Sequence, residues 1–231
     1  TNNIIRHAGA GISLSGHDNP TPSQQSKRIK IANNLFEDIN GPAYGDGNTA
    51  GPNDGTFIKI GDPTDVLIDH NTVFQSGPIT WAYGVTNNMA ITNNIFNCFL
   101  SAGGYQGIYG PGFSMGGNGP MGMYFPGITD AGQQFHKNVL IGGNAAKYNN
   151  YNTFSQNYFP AGATDVGFVD FTNGNVDYHH FSLKNTSVYH QSATNGQDIG
   201  VDFSQLDAAL NPGVLCPVAV STDAPQQDFP I

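Results

Sequence analysis

One six-residue figure, apolar-x-x-Asn-x-apolar, recurs along the chain and constrains its fold more than any other feature. It appears as Ile31/Asn34/Phe36, Ile68/Asn71/Val73, Ile91/Asn94/Phe96, Phe135/Asn138/Leu140 and Phe154/Asn157/Phe159, with a partial copy, Asn3/Ile5, at the start. Successive Asn residues are 31, 37, 23, 44 and 19 positions apart. The shortest steps are close to the ~20–25 residues that one turn of a stacked solenoid takes, and the longer ones imply turns carrying inserted loops. Asn suits such a corner for two reasons. It tolerates left-handed backbone better than most residues with a side chain. Its amide also donates and accepts at once, so stacked amides can bond to the turn above and the turn below. The expectation is that the repeated Asn makes the bend and forms the column, with the flanking apolar residues facing inward.

At 231 residues the chain is long enough for one domain or two with a sizeable core. Thirty Gly, only 11% charged residues and short runs of β-branched and aromatic residues favour an all-β chain over a helical bundle. The net charge of −9 gives nucleic-acid binding no support. It also makes the surface a poor trap for polyanionic glycans unless a cation or a local basic patch intervenes. No run of 18 apolar residues is present, so no membrane-spanning helix is expected. The chain opens inside the repeat figure, and earlier coils or a catalytic domain of the same polypeptide are expected to precede Thr1. Cys98 and Cys216 are compatible with one disulfide, or with two small buried apolar residues.

In chain order, residues 1–15 predict strand, Gly turn, strand, and residues 28–36 alternate as a strand entering the next coil. Residues 40–55 form a loop rich in Gly, Asn and Pro, followed by strands over 56–60 and 65–74. Trp81 lies in a short segment with Tyr83, ahead of a long insertion over about 100–132 that is aromatic, Gly-rich and almost uncharged. So apolar a loop either packs along the coil or offers a ligand surface. Val166–Asp170 and Tyr178–Leu183 predict short strands, and Phe203–Leu210 a helix with Asp202 as N-cap and Asn211-Pro212-Gly213 as its stop. Val214–Ile231 predicts an extended tail laid on the body.

With Ile31-Ala-Asn-Asn-Leu-Phe36 and Ile68-Asp-His-Asn-Thr-Val73 as its fullest copies, the figure resembles that of right-handed parallel β-helix repeat proteins. Gly167-Phe-Val-Asp170, Phe181-Ser-Leu183 and the run Gly196 to Gly200 look like the C-terminal end of many secreted bacterial members. The resemblance implies a right-handed parallel β-helix solenoid over residues 1–200, with inserted loops, then a short C-terminal helix and extended tail over 201–231. It further implies an extracellular or periplasmic setting with a polysaccharide partner. The fold hosts lyases, hydrolases, epimerases, tailspikes, adhesins and binding modules alike, so it assigns no catalytic residue.

Three classes of function follow as expectations: a binding module, an enzyme (a lyase or a glycoside hydrolase) and a structural segment. A carbohydrate-binding module stacks aromatic faces on sugar rings and bonds their hydroxyls with amides. Trp81, Tyr83, Tyr105, Tyr109 and Tyr124 supply the rings, on or beside the long insertion. A lyase needs a base and a cation at a uronate carboxylate. Lys27, Arg28 and Lys59 are its candidates, with solvated charge on a strand face as the competing explanation. A glycoside hydrolase needs paired carboxylates. Asp65 and Asp69 share a strand face but stand ~13 Å apart there, too far to act as a pair. Calcium is compatible with Asp46, Asp54 and Asp62 and loop carbonyls, against the plainer role of turn-forming Asp. His179-His180 and the Asp69-His70 pair are better explained by position than by metal or base chemistry. The third function is a structural or adhesin segment, since parallel coils form stiff rods.

Overall fold

The computed structural model describes residues 1–18, 20–21, 23–45, 55–82, 84, 86–98, 134–143, 145, 156–171 and 177–211, together with the backbone of 108–109. Thirteen strands in these residues form three sheets, every named pair of neighbours being parallel. Sheet A contains β1 (Ile4–Ala8), β4 (Leu35–Ile39), β7 (Thr72–Gln75), β10 (Ile95–Asn97) and β13 (Val139–Ile141). Sheet B contains β2 (Ile12–Leu14), β5 (Ile58–Ile60), β8 (Thr80–Ala82) and β11 (Ile108–Tyr109). Sheet C contains β3 (Lys27–Ala32), β6 (Thr64–Asp69), β9 (Asn87–Thr92) and β12 (Gln134–His136). The chain visits A, B and C in rotation, so each strand hydrogen-bonds to the strand three places later in sequence.

The repeated Asn residues form one unbroken column. Each donates its backbone N–H and its Nδ2 to the Oδ1 of the next: Asn3 to Asn34, Asn34 to Asn71, Asn71 to Asn94, Asn94 to Asn138 and Asn138 to Asn157. All ten of these bonds lie between 2.9 and 3.1 Å. The spare amide hydrogens also find carbonyls: Asn94 Nδ2 reaches Ile68 O at 3.0 Å and Thr92 O at 2.7 Å. Asn71, Asn94 and Asn138 are fully buried, which is tolerable for a side-chain amide only when its donors and acceptor are satisfied.

The sharp bend belongs to a different residue from the one expected. Left-handed backbone falls on the position before each column Asn, at Asn2, Asn33, His70, Asn93, Lys137 and Gln156, with φ between 50° and 59°. The column Asn itself stays out of that region, because its side chain must point inward to reach the next rung. Two residues thus turn the chain from sheet C into sheet A at every coil, one bending and one bonding. The A-to-B and B-to-C connections carry no such column and absorb the insertions, which is why the Asn spacing is uneven while the register is kept.

Two apolar clusters flank sheet A. Inside the three sheets lie Ile31, Phe36, Ile68, Val73, Ile91, Phe96, Phe135 and Leu140, all members of the repeated figure, with Phe57, Ile58, Ile60 and Met89. Phe36, Phe57 and Phe96 meet there ring against ring at 4.9 and 5.7 Å. Outside sheet A, Leu35, Phe74, Ile95, Val139 and Ile141 are covered by Val166, Phe168, Phe181, Leu183, Tyr189, Ile199, Val201 and Leu206. Sheet A is therefore buried on both faces, as its nearly continuous apolar strands require.

This cover differs from the sequence expectation. Val166–Asp170 and Tyr178–Leu183 are not strands. The first follows a 3-10 turn at Ala163–Asp165, the second begins with one at Tyr178–Phe181, and the two meet in a single antiparallel bridge, Phe168 to Leu183. One bridge is too short to make a ladder, so their apolar residues are set by packing onto sheet A. His179 and His180 accordingly lie on a turn, where His179 Nδ1 meets Asp177 at 3.0 Å and Nε2 meets Asp207 at 3.0 Å. The C-terminal helix spans Phe203–Leu210 with Asp202 accepting from Ser204 and Gln205 N–H at its start, as expected. Cys98 is a free thiol in the inner core, and burial pushes its pKa up; Cys216 and the tail lie outside the described residues.

Asn94→Ala would leave the backbone N–H of Asn71 without its acceptor, and would take one donor from each of Asn138 Oδ1, Ile68 O and Thr92 O and one acceptor from Asn71 Nδ2. At about 1–3 kcal/mol for each group that stays unsatisfied, a loss of about 3 kcal/mol or more is expected in urea unfolding. Asn87→Ala, on an exposed strand position, should shift the midpoint little.

Candidate functional site

Strand register, more than any cavity, brings the sequence candidates together. On sheet B, Ser13 is level with Lys59, Lys59 with Trp81, and Trp81 with Tyr109. Lys59 and Trp81 alternate with buried neighbours (Ile58 and Ile60; Thr80 and Ala82), so both face outward and are half-buried. One row on four successive strands thus contains a hydroxyl, a cation and two aromatic residues, at the ~4.8 Å step of parallel strands. Tyr83, Tyr105 and Tyr124, with Asp46 and Asp54, lie outside the described residues.

The basic candidates divide. Lys59 belongs to sheet B, whereas Lys27 and Arg28 open sheet C with exposed side chains. Arg28, Asp65 and Asn88 occupy equivalent places on β3, β6 and β9, each with positive φ, and the ladder pairs flank them on both sides. Asp65 accepts from Asn88 Nδ2 at 2.6 Å. Asp65 and Asp69 both alternate with buried Val66 and Ile68, and so point to the outer face as expected. Asp62 meets His17 Nδ1 at 3.1 Å across an exposed loop. Among the described residues no three His, Cys, Asp or Glu gather as a metal site.

Asp69 sits in the tightest polar cluster. His70 Nδ1 lies 2.8 Å from Oδ2, while Thr92 Oγ1 and Asn93 Nδ2 donate to Oδ1 at 2.6 and 2.9 Å. Burial disfavours the charge, but these bonds outweigh it and hold the carboxyl below its ordinary pKa. An aspartate on Nδ1 is the arrangement of a general base. Here the base has no outlet, since Nε2 is buried without a partner. The neighbouring rungs are strapped by the C-terminal segment: Thr194 N–H and Gly200 N–H bond to Asn93, and Asp202 N–H to Asn33 Oδ1 at 2.7 Å. The geometry makes this a clamp for the cover and not a site that a polymer reaches.

A second cluster was missed from sequence. His7 Nδ1, Asp38 Oδ2 and the Tyr44 hydroxyl form a triangle of 3.0, 2.8 and 3.0 Å sides, beside a buried ion pair in which Arg6 Nε lies 2.5 Å from Glu37 Oε2. Burial raises the Glu37 pKa although Arg6 opposes it. Burial also opposes the Asp38 charge, but the bonds from Tyr44, His7 and Asn40 win and lower its pKa. The signal for both pairs was present in the spacing. Arg6 to Glu37 and His7 to Asp38 are 31 apart, the same step as Asn3 to Asn34, and Asp65 to Asn88 repeats the 23 of Asn71 to Asn94.

Compared with known proteins, the chain matches no family model, no curated protein and no solved structure.

Because Asp69 has a lowered pKa, its contribution to stability is present above the unfolded carboxyl's pKa and is lost as pH falls through the folded value. Asp69→Asn should therefore melt below the wild type at pH 7, with the gap closing under acid. A gap independent of pH would show that the charge does not hold the clamp.

Proposed function

We propose that this chain is an extracellular carbohydrate-binding module, its three sheets wound as a right-handed parallel β-helix, which holds a polysaccharide against the outer face of sheet B. The observation that supports this reading is the register of Ser13, Lys59, Trp81 and Tyr109 on successive strands. The half-buried Trp81 ring offers a stacking platform for a sugar ring, Tyr109 holds the next place in the same row, and Ser13 and Lys59 are donors for hydroxyls. The acidic chain favours a neutral glycan, because a polyanion would have to overcome a net charge of −9. The cyclic A, B, C order and the buried amide column support the wound architecture, since a ladder of that kind needs equivalent corners stacked directly over one another.

A lyase for acidic glycans is the second reading, favoured by the exposed Lys27, Arg28 and Lys30 of β3 beside Asp65. It requires a proton acceptor and a counter-cation that reach the uronate together.

Affinity electrophoresis in gels of neutral and acidic glycans tests the first reading. The wild type should be retarded by at least one neutral polysaccharide, Trp81→Ala should migrate freely while keeping its far-ultraviolet spectrum, and Asp69→Asn should remain retarded. Retardation unchanged by Trp81→Ala would remove the sheet B reading. Release of unsaturated product, lost in Arg28→Gln, would put the lyase in its place.

A further inference from the structure

Six of the seven His residues lie within ion-pair distance of an Asp, yet only His179 has a carboxylate at hydrogen-bond distance from each ring nitrogen. Its Nδ1 is 3.0 Å from Asp177 Oδ1, and its Nε2 is 3.0 and 3.1 Å from the two oxygens of Asp207. A neutral imidazole has a single N–H, so it can donate to one of these aspartates and must turn a lone pair on the other. Both contacts are hydrogen bonds only when the ring is the imidazolium. The surroundings suit a cation. The Tyr178 ring stacks on His179 at 4.2 Å, Phe203 stands 6.0 Å away, and the Tyr178 hydroxyl donates to Asp207 Oδ1 at 2.7 Å.

The contacts extend to His180, whose Nδ1 lies 3.8 Å from Asp170 and whose Nε2 lies 3.8 Å from Asp177, so three aspartates alternate with two histidines. Among the described residues no Lys or Arg pairs with these aspartates. With both imidazoles neutral, the cluster is left with three negative charges side by side, which repel. This cluster joins two elements. Asp177 caps the 3-10 turn Tyr178–Phe181, whereas Asp207 belongs to the C-terminal helix Phe203–Leu210. The start of that helix is fixed independently, by Asp202 N–H on Asn33 Oδ1 at 2.7 Å, and its middle by the buried Leu206. The bridge through His179 therefore bears on the last turn.

We propose that His179 is a pH-operated latch: as the imidazolium it bridges Asp177 and Asp207 and holds the end of the C-terminal helix on the cover, and on losing its proton it lets that end lift. The hydrogen bond to Asp207 raises the His179 pKa, burial opposes this, and Asp177 adds to the rise. The stability the bridge contributes is thus complete below the unfolded His value of ~6.5 and is lost as pH rises through the folded value. Both partners are largely exposed, and such pairs are worth little singly, so the change is a local opening of the last turn and not loss of the fold. None of the sheet B residues takes part, so the latch is independent of what that face binds.

NMR on the full chain tests the latch. The His179 ring should titrate above the ordinary ~6.5. Hydrogen exchange of the amides from Ala208 to Asn211, corrected for intrinsic rates, should lose protection by about threefold or more across that same titration. The Ala193 and Ile199 amides, bonded elsewhere in the cover to Gln197 and Tyr189 carbonyls, should keep theirs. His179→Gln should show the lower protection at every pH. Asp207→Asn should also remove the pH response, and it decides the matter if His179→Gln melts early. The proposal is overturned if His179 titrates at or below the ordinary value in the folded protein, or if protection of the last turn is constant through its titration. A full pH response surviving in Asp207→Asn would overturn it as well.

Discussion

A buried amide is acceptable only when its hydrogen-bonding capacity is used, and here five of them, with an exposed sixth at Asn3, use it on one another and on neighbouring carbonyls. Each rung of the column from Asn3 to Asn157 fixes the height and direction of the next, because a slip of one residue would bury an unpaired amide and turn the apolar neighbours outward. The other corners have no such obligation. They accommodate loops of very different length without disturbing the three registers, since closing a longer loop costs little once the strands on either side are set.

The column also explains how the cover is attached. The bending residue before each Asn projects outward, and three of these (Asn33, His70 and Asn93) form a polar edge along sheet A. Asn33 and Asn93 bond to the segment over 194–202, while His70 between them is held by Asp69. Polar corners therefore position the cover, and apolar packing against Leu35, Ile95 and Val139 holds it. One consequence is functional. With sheet A covered, the outward faces of sheets B and C are the uncovered sheet faces among the described residues.

Much of this was readable before any coordinates. The column, the inward apolar partners, the strands within 56–60 and 65–74 and the helix capped by Asp202 follow from spacing and capping chemistry alone. Three things did not. The left-handed position was assigned to the column Asn because Asn favours that backbone. At His70, Lys137 and Gln156 the fold places other residues there, since the neighbouring Asn is needed inside. The segments at Val166 and Tyr178 have the composition of strands, but they meet each other in a single bridge, and packing onto sheet A sets the rest. The Arg6–Glu37 and His7–Asp38 pairs were missed because pairing across coils is visible only when the local Asn step is added to each residue number.

Side-chain amide hydrogen exchange tests the column most directly. In a selectively labelled protein, the NH₂ groups of Asn34, Asn71, Asn94 and Asn138 should be the slowest of all Asn side chains and should exchange together, only when the whole stack opens. The exposed Asn88 and Asn195 should exchange at once. Rapid or mutually independent exchange of the four would contradict the view that this line of amides holds the coils in register.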